Sequence, residues 1–322
     1  MKTPDYWQKN NLQAKILTPV GLLYGLLTKL RLKTHKPKKV AVPVICIGNI
    51  TAGGTGKTPV SLSVARMLST EMLHPFFLTR GYGGKLQNVI VNNRKHSAYE
   101  VGDEALLLAQ QSPVVINANR FQGAATAINE GADVIVMDDG FQNPGLHKDL
   151  SFLVFDGNYG IGNGKIIPAG PLRETLANGL KRADALIILG KDKQNLASQT
   201  DLPVFFGHLE SSQAPLTQTD VLAFAGIGHP EKFYHTLREQ GFNVVDTMDF
   251  PDHHFYTAQD LQKIIERAQK LNAEIYTTSK DFVKIPNLYQ KDINVLEISV
   301  VWDKPEKLRD FILQKIQKNP DL

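Results

Sequence analysis

The chain has one cysteine, Cys46, in 322 residues. A single thiol excludes an internal disulfide framework and suits a reducing compartment. Within a β-branched run, Cys46 reads as a small core residue. Acid is nearly missing from residues 1–40, where Asp5 stands against nine lysines and arginines. The remaining residues invert this balance, with 27 basic against 31 acidic side chains. The net charge of +4 therefore sits wholly at the N-terminus, and the body offers no basic surface for nucleic acid. No apolar run reaches the roughly 20 residues needed to span a bilayer. No small-residue cleavage site follows the N-terminal apolar stretch, which argues against a secretory signal. Repeats and low-complexity tracts are absent as well.

What the N-terminus does have is a helical pattern over residues 16–32, with Thr18 as N-cap and Pro19 at the first helical position. Val20, Leu23, Leu27 and Leu30 recur at helical spacing, Leu22 and Leu26 widen the stripe, and Lys29, Arg31 and Lys33 close it. Such a helix either lies on an anionic membrane face or packs on the protein's own core. On a membrane, each buried leucine contributes roughly 1.5–3 kcal/mol, and each basic residue about 1 kcal/mol.

The rest of the chain is organised around residues 44–59. Val44, Ile45 and Ile47 form a strand pattern. Then come Thr51-Ala52-Gly53-Gly54-Thr55-Gly56-Lys57-Thr58 and a helix with Pro59 in its first turn. Glycines let successive backbone N–H groups turn toward an anion, and the helix N-terminus adds partial positive charge. Lys57 reaches the outer phosphates and the Thr58 hydroxyl ligates Mg²⁺. The strict motif has glycine where Thr51 stands, yet the strand and helix on either side fit a site for a nucleoside triphosphate.

Strand and helix patterns then alternate. Gly102-Asp103-Glu104 places two acids in a helix's first turn, where they also suit the helix dipole. Residues 132–137 form a strand ending in Asp138-Asp139, and a strand of this type delivers an Asp to the metal in phosphate-loop enzymes. A Gly/Pro-rich loop carries Arg173, and residues 200–220 read as a seam. The expected architecture is α/β: a phosphate-loop core with a parallel sheet flanked by helices over 34–210, a smaller α/β unit over 211–322, and a membrane-associated helix over 1–33. A GTP switch would need glycine where Phe141 stands, and a partition-type ATPase would have lysine at Ala52.

In order, Gly48-Asn49-Ile50-Thr51, the glycine loop, Arg80-Gly81-Tyr82-Gly83-Gly84, Gly102-Asp103-Glu104, Asp138-Asp139-Gly140-Phe141-Gln142, Gly162-Asn163-Gly164-Lys165, Pro168 to Glu174, Phe224 to Gly228 and Asp252-His253-His254 resemble the tetraacyldisaccharide 4′-kinase family. Thr51 belongs to that pattern. Asn143 departs from it, standing where the family commonly has His, and Ser279 replaces a Glu. The resemblance implies transfer of the ATP γ-phosphate, with Mg²⁺, to the 4′-hydroxyl of a tetraacylated glucosamine disaccharide 1-phosphate. It implies a protein held by its N-terminal helix at the cytoplasmic face of the inner membrane, expected to work as a monomer and without nucleic acid. It also implies that residues Thr51 to Thr58 hold the nucleotide and that Thr58, Asp138 and Glu104 form the metal shell. Asp103 is then the base, paired with His253; Lys57 and Arg173 steady phosphate, and Asp139 faces substrate or supports the shell.

Overall fold

The computed structural model describes residues 4–211 and 219–317. The later part of the expected seam, 212–218, lies outside the described residues. The first long element is a helix, α1 (Leu12–Thr34), capped by Asn11, whose side chain accepts from the Ala14 N–H. The cap expected at Thr18 is thus corrected by almost two turns, and Pro19 lies inside the helix. The reason is local: Asn11 is as good a cap as Thr18, and the Thr18 hydroxyl bonds back to the Ala14 carbonyl at 2.8 Å.

A nine-stranded sheet forms the larger layer. In chain order its strands are β1 (Val44–Gly48), β2 (Pro75–Thr79), β3 (Val89–Ile90), β4 (Val114–Ile116), β5 (Val134–Asp138), β6 (Leu150–Asp156), β7 (Ala185–Leu189) and β8 (Val204–Ser211), with a ninth from the C-terminal region. The next strands, β9 (Asp220–Ala225), β10 (Asn243–Asp249), β11 (Glu274–Thr278) and β12 (Asn294–Leu296), form a separate four-stranded sheet; β13 (Ile298–Trp302) is the ninth strand of the larger one. The large sheet runs β13-β8-β7-β6-β1-β5-β2-β4-β3. Its pairs are parallel except at the two edges, β3 on β4 and β13 on β8. Interior strands such as β1, β5 and β7 are buried along their whole length, which explains their unbroken apolar runs.

Helix α2 (Lys57–Thr70) follows the glycine loop and packs Val60, Val64, Ala65 and Leu68 on one face of the sheet. Two short helices, α3 (Ala98–Val101) and α4 (Asp103–Leu108), and then α5 (Arg120–Asn129) complete the connections among β2, β4 and β5. The expected second unit over 211–322 does not stay in one place. Residues 298–317 return to the larger sheet, where Val300, Leu308, Ile312 and Ile316 join the core of Val64 and Phe152. Strand β8 left an open edge, and β13 covers it antiparallel.

Helix α1 uses little of its surface for the protein. Ala14 and Gly21 are buried against the rest of the chain, while Ile16, Val20, Leu22, Leu23, Leu26, Leu27 and Leu30 are exposed. Gly21 is needed because a Cβ there would stand 2.6 Å from the Ile166 carbonyl oxygen. Among the described residues no helix is long and apolar enough to cross a membrane.

Candidate active site

The strands of the large sheet bring their C-terminal ends to one edge, where loops gather side chains from distant parts of the sequence. From β1 comes the loop 49–56. Gly53 and Gly56 have φ of +114° and +84°, a region that favours glycine. A Cβ on Gly53 or Gly54 would meet nothing within 4 Å, so this backbone faces open space. Asn49 Nδ2 donates to Thr55 Oγ1 at 3.0 Å and to Thr51 Oγ1 at 3.4 Å. Thr51 and Thr55 thus brace the loop from inside. The Ala52 N–H donates to the Pro171 carbonyl at 2.7 Å, so of the expected nucleotide contacts this one is taken by the protein. A cavity of about 340 Å³ opens beside Gly53 and Gly54, walled on the far side by His229 and Lys232.

From β5 come Asp138 and Asp139. Asp138 is buried, accepting from Thr58 Oγ1 at 3.2 Å and Ser61 Oγ at 2.8 Å. Burial, followed by the nearby Glu104 charge, holds its carboxyl well above the ordinary carboxylate range. Asp139, in the left-handed region at φ +54°, lies 3.6 Å from Lys57 Nζ and 3.5 Å from Arg173 Nη1. Burial works to raise its pKa, but Lys57 and then Arg173 outweigh it and keep the carboxyl below its usual value.

The acids of α4 face the smaller sheet. Asp103 Oδ2 is 2.9 Å from Nδ1 of His253, which is 150 residues away in sequence. His253 stands at φ +59°, a strained position for a non-glycine residue and a common mark of functional sites. Its N–H donates to the Gly226 carbonyl at 3.1 Å, and the Tyr82 ring packs on its imidazole at 5.3 Å. The hydrogen bond to Asp103 raises the His253 pKa above its ordinary value despite partial burial. For Asp103, burial pushes upward, but the His253 bond and the Lys280 charge win and the carboxyl is held low. His254 is turned elsewhere, toward Asp260 at 3.1 Å.

Several functional neighbours escaped sequence reasoning. Lys280 Nζ pairs with Glu104 Oε1 at 2.7 Å, so this expected metal ligand is engaged across the cleft. The Thr278-Ser279-Lys280-Asp281 motif was the available signal, though its pattern assigned no partner. Beneath the site, the buried Glu174 takes both Nη2 contacts of Arg182 at 2.5 and 2.6 Å. Gln142 Nε2 ties this pair to the Asn49 carbonyl at 2.8 Å. Asn143, where the resemblance suggested a histidine, closes a turn by accepting from Gly145 and Leu146 N–H groups. A second bond across the cleft joins Lys232 and Asp156 at 2.5 Å.

A family model described as tetraacyldisaccharide-1-P 4′-kinase matches residues 13–317. The tetraacyldisaccharide 4′-kinase of Rhodospirillum rubrum is 45% identical over 314 residues, covering 95% of each protein. That of Parvibaculum lavamentivorans is 47% identical over 297 residues, covering 88% of this chain and 87% of its own. A crystal structure of LpxK from Aquifex aeolicus in complex with ATP is similar with a TM-score of 0.79 at 29% identity, covering 95% of this chain and 100% of that one.

Proposed function

This chain belongs to the tetraacyldisaccharide 4′-kinase family, and on that premise we propose how its residues divide the work. The reaction is a lipid A biosynthesis step: the ATP γ-phosphate passes to the 4′-hydroxyl of a tetraacyldisaccharide 1-phosphate. Phosphoryl transfer of this kind needs positioning and charge neutralisation more than covalent chemistry. The open backbone of Gly53 and Gly54, with Thr55, Gly56, Lys57 and Thr58, cradles the nucleotide phosphates, and the adjoining cavity gives the rest of the nucleotide room. Lys57 and Arg173, poised on Asp139, turn to the transferring phosphate.

Mg²⁺ fits the residues present. Asp138 is a buried carboxylate made uncomfortable by burial and by Glu104, a condition that a cation relieves. Among the described residues no trio of His, Cys, Asp or Glu gathers. That suits Mg²⁺, which takes one or two carboxylates and completes its shell with substrate phosphates and water. Thr58 and Asp138 would hold it, joined by Glu104 on exchange from Lys280. When bound, the ion neutralises charge developing on the phosphates.

The observation that carries the catalytic reading is the 2.9 Å contact between Asp103 and His253, made between the two sheets beside the loop. Asp103 accepts the proton of the sugar hydroxyl as the new P–O bond forms and the bond from the γ-phosphorus to the bridging oxygen breaks, ADP leaving with that electron pair; His253 orients the carboxylate and shares the proton. The unit of residues 34–210 supplies the nucleotide side. The smaller sheet brings His253 and Lys280 to it from above. The exposed leucines of α1, followed by Arg31 and Lys33, suit insertion into the anionic cytoplasmic face of the inner membrane. A single chain contains every group named, which supports the reading of a protein that works as a monomer.

The direct test mixes purified protein, labelled ATP and tetraacyl disaccharide 1-phosphate in detergent. Labelled lipid dependent on Mg²⁺ and lost in Asp103→Ala is the expected outcome; turnover of ATP with no lipid product would refute the assignment.

A further inference from the structure

A buried carboxylate with no part in the chemistry above sits behind His253. Asp281 is fully buried, and both of its oxygens are occupied. Oδ2 accepts from the Gly226 N–H at 3.1 Å and from Thr278 Oγ1 at 2.7 Å. Oδ1 accepts from the Tyr256 hydroxyl at 2.9 Å. Lys284 Nζ, itself buried, stands 2.7 Å from Oδ1 as an ion pair without hydrogen-bond alignment and supplies the counter-charge. The Thr278 contact closes the first turn of the short helix Ser279–Phe282, which anchors the carboxylate to the end of β11. A buried ion pair adds little net stability over apolar side chains of the same volume. Four contacts on one carboxylate do provide fixed geometry.

Two of these contacts bracket the turn that carries His253. Strand β9 ends at Ala225, and Gly226 after it is held from both sides. Asp281 takes the Gly226 N–H, and the Gly226 carbonyl accepts from the His253 N–H at 3.1 Å. Three residues beyond His253, the Tyr256 hydroxyl returns the chain to the same carboxylate. The fit has no slack. A Cβ on Gly226 would stand 3.0 Å from the Pro251 carbonyl oxygen and 3.1 Å from both Asp281 Oδ1 and the Tyr256 hydroxyl. The Tyr256 ring meets Phe224 and Phe250 edge to face, which fixes the direction of its hydroxyl. His253 needs this support, because at φ +59° it holds a conformation that persists only where the surroundings over-determine it.

We propose that Asp281 is a positioning residue of the transfer reaction: through the Gly226 peptide and the Tyr256 hydroxyl it holds the His253 turn in its strained form and so keeps the imidazole on Asp103. The inference rests on the reading of Asp103 and His253 as one base. Asp281 acts from behind the turn. Its loss should therefore reach kcat and spare the nucleotide, which the glycine loop of the larger sheet holds.

The test measures transfer by the full-length protein in detergent micelles, with labelled ATP and tetraacyl disaccharide 1-phosphate, beside a thermal melt. Two variants loosen the turn by different routes. Tyr256→Phe removes one hydroxyl and keeps every charge and the packed ring. Asp281→Asn combined with Lys284→Met removes both buried charges together, which a fold tolerates better than the loss of one partner. Tyr256→Phe should lower kcat about fivefold, the scale of one buried hydrogen bond. The charge-pair variant should lower it by about tenfold to a hundredfold, the scale of a group misplaced by about 1 Å. Both should keep a cooperative melt and the wild-type KM for ATP. In a His253→Ala background each should cost less than about twofold more, because residues acting through one group are non-additive. An unchanged kcat in Tyr256→Phe would overturn the proposal and leave the base reading intact. So would a loss of the same size with and without His253, which is what a purely structural role gives. Where the charge-pair variant loses its cooperative melt, Tyr256→Phe in the two backgrounds decides alone. A His253→Ala enzyme at wild-type kcat would bring down both readings.

Discussion

Lys57 sits between the glycine loop and Asp139, with only 14% of its side chain exposed. In the proposed mechanism Lys57→Ala removes a cation that turns to the transferring phosphate, and no core contact. Turnover should fall by about 10²-fold or more with the melting temperature preserved, measured as kcat beside a thermal melt. Asp103 and His253 act as one unit in the proposed mechanism. Each alanine variant should cost roughly 10²–10⁴-fold, and the double variant should be little worse than the poorer single; fully multiplicative losses would show independent roles. The pair also fixes a pH dependence. The raised His253 pKa means that its ion-pair contribution is complete below the ordinary histidine value and is lost as pH rises through the raised one. Asp103, held low, contributes above the ordinary carboxylate value and loses its contribution as pH falls through the depressed one. Sharing a proton requires neutral His253, so kcat should rise through a midpoint above the ordinary histidine value. In His253→Ala that midpoint should move down into the carboxylate range. Asn143→His should not raise the rate. It removes two accepted hydrogen bonds, each worth about 1 kcal/mol, so a thermal melt should show a modest loss.

At the scale of the element, α1 is the outlier. A helix that buries Ala14 and Gly21 but exposes its leucines gains little from the protein it is attached to. Leu23 and Leu27 are each 58% exposed, and replacing both with Asp removes apolar area from a lipid contact without touching the core. Co-sedimentation with anionic vesicles should drop sharply while nucleotide affinity and the melting temperature stay at wild-type values. Retained vesicle binding would place the anchor elsewhere. The helix is fastened in its first half, where Lys165 Nζ bonds Thr18 Oγ1 at 2.9 Å, and the segment before it is fastened where the Trp7 indole bonds the Pro168 carbonyl at 3.1 Å. These bonds tie the N-terminal segment to the Gly/Pro-rich loop that carries Arg173, so the helix with the exposed leucines and the candidate active site share one support.

For the whole molecule, the chain leaves the large sheet at β8 and comes back at β13, with Ser211 paired to Ile298. The returning segment brings Val300, Leu308, Ile312 and Ile316 into the core and places the Trp302 indole on Ser63 at 2.8 Å. Burying those four side chains contributes roughly 1.5–3 kcal/mol each, comparable with the whole stability of about 5–15 kcal/mol of a typical domain. A fragment ending at residue 211 should therefore lack a cooperative thermal transition. A chain in which a two-residue Asn-Gly turn joins 211 to 298 should melt cooperatively and bind nucleotide, yet transfer nothing, because His253 and Lys280 are gone. A fragment 1–211 that melts cooperatively by itself would contradict the role given to β13.

The sequence by itself determined the local elements and where their glycines and acids stand in them. The β-branched runs of β1 and β5, the glycines before Lys57 and the acids opening α4 are short-range features, set by local sterics, periodicity and helix-end electrostatics. Their readings survive contact with the structure because each depends on neighbours within a few residues. The tertiary structure decided what those elements meet. Asp103 finds His253 and Glu104 finds Lys280 only when the smaller sheet stands over the C-terminal edge of the larger one. Ala52 loses its N–H to Pro171 for a similar reason, and β13 leaves its neighbours in sequence for the open edge of β8. None of these partners is marked by spacing, since pairing between distant segments depends on which edges and faces the packed elements leave uncovered. The choice of Asn11 over Thr18 as a cap was, by contrast, a local one: both residues could cap, and the Thr18 hydroxyl bonds back to the Ala14 carbonyl within the helix.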